Sequence, residues 1–156
     1  MDETVDIEKA YSQLAARHAL PPYADMERHF FISSIETDSL TLKDIRHKMM
    51  DKFEYVQHIL EEVLNPDATL VTMAEMRAFS EPERDGMYGL FKRIMCVGRQ
   101  AVLLNIDSEE KAEAAWIRQS FIVWRSELPK LSSIVSKLVR VWMEDVDLKT
   151  RVEYLG

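Results

Sequence analysis

Between residues 130 and 142 the chain alternates in a way that only a helix satisfies. At about 100° per residue, Leu131, Ile134, Val135, Leu138, Val139 and Trp142 fall on one side. Lys130, Ser133, Ser136, Lys137 and Arg140 fall on the other. The same period recurs upstream, and no stretch shows the period of two that a half-buried strand requires. No internal repeat is visible. The sequence therefore predicts an all-α fold: a single helical domain over 1–156, built as a bundle of about six helices with short connections.

The punctuation places the helices. A first helix is expected over about 3–18, with Val5, Ile7, Tyr11, Leu14 and Ala15 as its apolar side. Leu20, Pro21 and Pro22 stop it, because proline lacks an amide hydrogen and restricts the residue before it. Residues 19–40 read as an irregular packed connector. Phe30, Phe31, Ile32 and Ile35 are too apolar for a free linker, yet 23–40 shows no clear helical period. Thr41 with Asp44 has capping-box spacing and opens a second helix to about Leu64. Its buried side is Ile45, Met49, Phe53, Val56, Ile59, Leu60 and Val63. Asn65-Pro66 ends it, and Asp67 is expected to cap a short third helix carrying Leu70, Met73, Ala74 and Met76.

Ser80, three before Glu83 and with Pro82 in the first turn, opens a fourth helix to about Leu104. Its apolar arc, from Met87 through Leu90, Phe91, Ile94, Val97, Gly98 and Ala101 to Val102, covers about half the cylinder, which suits a central position. Asp107, three before Glu110, is expected to start a fifth, carrying Trp116, Ile117, Phe121, Val123, Trp124 and Leu128. Ser126 and Pro129 divide it from the sixth, unless the two form one kinked helix.

Composition narrows the class. A chain of 156 residues, 47% hydrophobic, can bury roughly two-thirds of its unfolded surface and needs no disulfide or metal to fold. Only 4 Gly and 5 Pro argue against linker-like or collagen-like structure. A lone cysteine, Cys96, rules out an internal disulfide framework and suits a reducing compartment, so a cytoplasmic location is expected. Asp2, Glu3, Asp6 and Glu8 stand where a signal peptide would be positive. No apolar run approaches the ~20 residues of a membrane span, so no membrane association is expected.

The net charge of -7 is unevenly placed. Residues 1–85 hold 9 Lys/Arg against 18 Asp/Glu, whereas 86–143 hold 9 against 5. Within the basic stretch Lys111, Arg118 and Arg125 recur every seven residues, Lys130, Lys137 and Arg140 form a second stripe, and Lys92, Arg93 and Arg99 a third. Adjoining, these faces would attract phosphates or an acidic partner. They equally suit the solvated faces that amphipathic helices need.

Three further groups carry potential chemistry. His47 with Asp51, and Glu54 with His58, have the (i, i+4) spacing of paired metal ligands. They lie opposite the apolar side of their helix, and no second helix offers a matching set, so no metal site and no cofactor are expected. Cys96 sits away from the apolar arc with Lys92, Arg93 and Arg99 as helical neighbours, a setting that favours thiolate and makes it a reactive-thiol candidate. Nine methionines suit core filling or an adaptable groove. Sequence signatures of nucleotide, zinc and serine-nucleophile enzymes are absent. The expected function is thus a non-catalytic protein–protein interaction or assembly module, self-association included. The alternative is a nucleic-acid-associated protein using the basic stripes, and a third reading is a thiol- or metal-dependent enzyme.

Overall fold

The computed structural model describes residues 4–65, 67 and 69–144, and helix is the only regular structure among them. The order is α1 (Ile7–His18), α2 (Tyr23–Phe30), a 3-10 turn (Ile32–Ser34), α3 (Leu42–Leu64), α4 (Leu70–Met76), α5 (Glu81–Ile106) and α6 (Glu110–Met143). This is an all-α helix bundle, as the period predicts. Two units emerge from the packing: unit 1 comprises Met1–Tyr55 and Met95–Trp124, unit 2 Val56–Ile94 and Arg125–Gly156. Each of α3, α5 and α6 contributes one end to either unit.

Unit 1 begins with the Asp6 carboxylate accepting the Lys9 amide at 3.1 Å, which starts α1 at Ile7 rather than near residue 3. Left-handed Ala19 closes the helix. The span 23–40 departs most from expectation. It contains α2, two turns long, whose buried Met26, His29 and Phe30 follow a helical period too short to stand out. Phe31 then adopts φ 55, the left-handed region, and its amide reaches the Glu27 carbonyl at 3.0 Å. This reversal lets Phe30 and Ile32 both enter the core while Phe31 remains outside. The Glu27 carboxylate locks the reversal, accepting the Ser33 amide and hydroxyl at 2.7 Å each. α3 then opens with the predicted reciprocal box. The Thr41 hydroxyl accepts the Asp44 amide at 3.2 Å, and the Asp44 carboxylate accepts the Thr41 amide at 2.9 Å.

The core of unit 1 is aromatic. Phe30 lies 5.3 Å from Trp124, Trp124 lies 5.6 Å from Phe53, and Phe53 lies 6.5 Å from Trp116 (ring centroids). Such tilted contacts suit the ring quadrupoles. Trp116 donates its indole hydrogen to the Val97 carbonyl at 3.1 Å. Trp124 Nε1 is buried and finds no acceptor among the described residues.

In unit 2 the cap of α4 is Thr69, not Asp67; its hydroxyl accepts the Thr72 amide at 3.3 Å. Ser80 and Glu83 form the expected box at the start of α5. The fifth and sixth predicted helices are one, α6, which runs through Pro129. An interior proline costs roughly 3 kcal/mol. Burying flanking Leu131 and Ile134, at roughly 1.5–3 kcal/mol for each side chain, offsets it. Asp107 does not open α6, because the first carbonyl in use there is that of Glu109, which accepts the Glu113 amide. Val102, Val135, Val139 and Trp142, expected on buried sides, are exposed.

Candidate functional site

In unit 1 the amphipathic spacing of α3 puts Arg46 on the buried side, three residues before Met49 and seven before Phe53. Glu113 holds the matching place on α6, three before Trp116 and four before Ile117. Both are removed from water. Arg46 Nε meets Glu113 Oε2 at 2.6 Å and Nη2 meets Oε1 at 3.1 Å. Nη1 donates to Asn105 Oδ1 at 2.8 Å and to the Ala101 carbonyl at 3.3 Å, and the Ser108 hydroxyl donates to Glu113 Oε1 at 2.9 Å. The guanidinium fork suits such bidentate pairing. Reading charges as solvated faces hides the pair. The signal was present in two charges of opposite sign, each at a core register.

The nine basic candidates divide between the units: Arg99, Lys111 and Arg118 in unit 1, the other six in unit 2. Arg118 Nη1 donates to the His18 carbonyl at 2.5 Å. Arg93 pairs with Glu127 at 2.5 Å, and Lys130 lies 3.9 Å from the same carboxylate. Lys137 pairs with Glu83 at 2.5 Å and lies 5.2 Å over the Phe79 ring. That bond and the Ser80 contacts hold the Glu83 carboxyl below its ordinary range, outweighing slight desolvation. Lys92, Arg99, Lys111, Arg125 and Arg140 are exposed.

Cys96 is exposed. His47, Asp51, Glu54 and His58 are all exposed along α3, and His47 Nε2 stands 3.4 Å from Asn105 Oδ1. Among the described residues no three His, Cys, Asp or Glu side chains are grouped to hold an ion. Nor is any described helix long and apolar enough to cross a membrane.

Two surface features stand out by composition. In unit 1 a cleft of about 390 Å³ is lined by Phe30, Phe31, Ser34, Lys48, Asp51, Lys52 and Tyr55. In unit 2, α6 exposes Val135, Val139 and Trp142 at intervals of four and three. Trp142 Nε1 donates to Glu75 Oε2 at 3.3 Å, which brings in α4, where Val71, one turn before Glu75, is also exposed. Neither feature was singled out from sequence. Three consecutive apolar residues, Phe30-Phe31-Ile32, were the available signal for the first, since one helical side cannot bury all three. Comparison with known proteins finds no matching family model, no matching curated protein and no matching solved structure.

Proposed function

We propose that the protein is a non-catalytic helical interaction module that self-associates through the α4–α6 surface of unit 2. The observation carrying this reading is the row Val135, Val139 and Trp142, between 41% and 52% exposed, extended by Val71. Spacings of four and three are those by which one helix presents a continuous seam to another. A second copy brings the same seam, so a twofold pairing covers both with a single surface. Removing apolar surface from water at roughly 25 cal/mol per Å² drives the association. The basic residues support a nucleic-acid role less well: Arg93, Lys130 and Lys137 face carboxylates within the chain, and Arg118 serves a backbone carbonyl. The single exposed cysteine suits a reducing compartment, and the cytoplasm is the location proposed.

Size-exclusion chromatography with light scattering at low salt, recording absorbance at 260 and 280 nm, tests this. A dimer that dissociates on dilution, and is lost in Val139→Glu and Trp142→Ala, supports the proposal. A monomer at every concentration, or a dimer indifferent to both substitutions, removes it. Excess absorbance at 260 nm that disappears in high salt would favour the nucleic-acid reading.

A further inference from the structure

We infer that a cavity of unit 2, between the first turns of α5 and the turns of α6 that follow Pro129, binds an uncharged aromatic small molecule. The inference does not rest on the self-association reading and concerns different residues.

Shape favours a small molecule. The cavity measures about 470 Å³, within the range of small-molecule sites, and every lining residue belongs to one unit. Buried Phe79, Met87 and Ile134 form its floor, and exposed Pro82 and Pro129 stand at its rim. Two lining residues run against helix formation, Gly86 inside α5 and Pro129 inside α6. Breaches of local preference gather where a surface serves something besides folding. A methyl group at Gly86 would meet nothing within 4 Å, so the cavity is open on that side.

The charges select against an ionic ligand. Lys137 Nζ already meets Glu83 Oε2 at 2.5 Å, so an ion would have to break that pair to use either group. Lys130 lies 3.9 Å from Glu127, a carboxylate that Arg93 also meets, and is half exposed, where a lone ammonium contributes little. The remaining walls favour an aromatic ring over an aliphatic one. The Lys137 ammonium lies 5.2 Å over the Phe79 ring, which puts a cation where it also faces the π-surface of a bound ring. Met87 adds a thioether, a group that makes favourable contacts with aromatic edges. Ser133 supplies a hydroxyl for one hydrogen bond.

The test titrates the full chain with para-fluorophenol, followed by fluorine NMR. Saturable binding is expected, with para-fluorobenzoate and para-fluorobenzylammonium weaker by about tenfold or more. Cyclohexanol at equal concentration should not displace the phenol. Gly86→Leu, which puts a side chain into the open space, should abolish binding. The same variant should melt no lower than the unsubstituted protein, because leucine is the better helix former, and this separates a filled cavity from a lost fold. The Val139→Glu protein should bind the phenol unchanged, so failure of the dimer reading leaves this one standing. Absence of saturable binding, tighter binding of either ion, displacement by cyclohexanol, or binding indifferent to Gly86→Leu overturns the proposal.

Discussion

Arg46 and Glu113, 67 positions apart in sequence, meet as a bidentate ion pair from which water is excluded. The attraction only repays the desolvation of both charges when their remaining polar atoms are satisfied, and Asn105, Ser108 and the Ala101 carbonyl do that here. Removing one partner strands the other. Arg46→Ala should therefore cost about 3–5 kcal/mol in urea unfolding. Arg46→Met/Glu113→Leu, which removes both charges and keeps volume, should lose far less. A double variant as unstable as the single one would show that packing, not the stranded carboxylate, sets the cost.

Two buried indoles in the same core should respond differently to substitution. Trp116 donates to the Val97 carbonyl, whereas Trp124 Nε1 has no acceptor among the described residues. Leaving a buried donor unmade costs about 1–3 kcal/mol, and phenylalanine removes that donor. Trp116→Phe should thus destabilise by about 1–2 kcal/mol more than Trp124→Phe, although both lose similar apolar contact. Equal losses in chemical denaturation would mean that area alone governs the cluster.

Acid should weaken the α2 reversal. Partial burial pushes the Glu27 carboxyl up, but the Ser33 hydroxyl and amide, the Tyr23 hydroxyl and nearby Lys48 together hold it below its ordinary 4.5. The folded state then binds this proton less readily than the unfolded chain, so stability rises with pH across that interval. The contribution is complete above 4.5 and is lost as pH falls through the lower folded value. Melting temperatures from pH 6 to pH 3 should fall more steeply for the unsubstituted protein than for Glu27→Gln. Parallel curves would count against the role given to Ser33.

The parts legible in sequence were those governed by local chemistry and long periods. The Thr41–Asp44 and Ser80–Glu83 boxes sit where spacing puts them, since a capping box needs only four consecutive residues. α2 was hidden because eight residues carry little more than two turns of period. The join at Pro129 was ambiguous because a proline's local cost competes with burial contributed by distant residues. Side chains such as Val139 fall on the apolar side by period, but their exposure depends on how far the neighbouring helices reach. The candidate cleft depends on the left-handed turn at Phe31, and a phenylalanine gives no hint of that conformation.

Two of the three glycines of α5, Gly86 and Gly98, are not there for space. A methyl group at Gly86 would meet nothing within 4 Å, and one at Gly98 would meet only Met50 Cε at 3.6 Å, an ordinary contact. Neither has the positive φ that reserves a position for glycine. Close helix approach is therefore not their reason, and each simply leaves backbone freedom to be lost on folding. Gly86→Ala and Gly98→Ala should each gain about 0.5–1 kcal/mol. Twelve positions apart on one helix and sharing no partner, the two should add in thermal unfolding. A loss at Gly86 would mean that the open space beside it is occupied in solution, by a partner or by the chain itself.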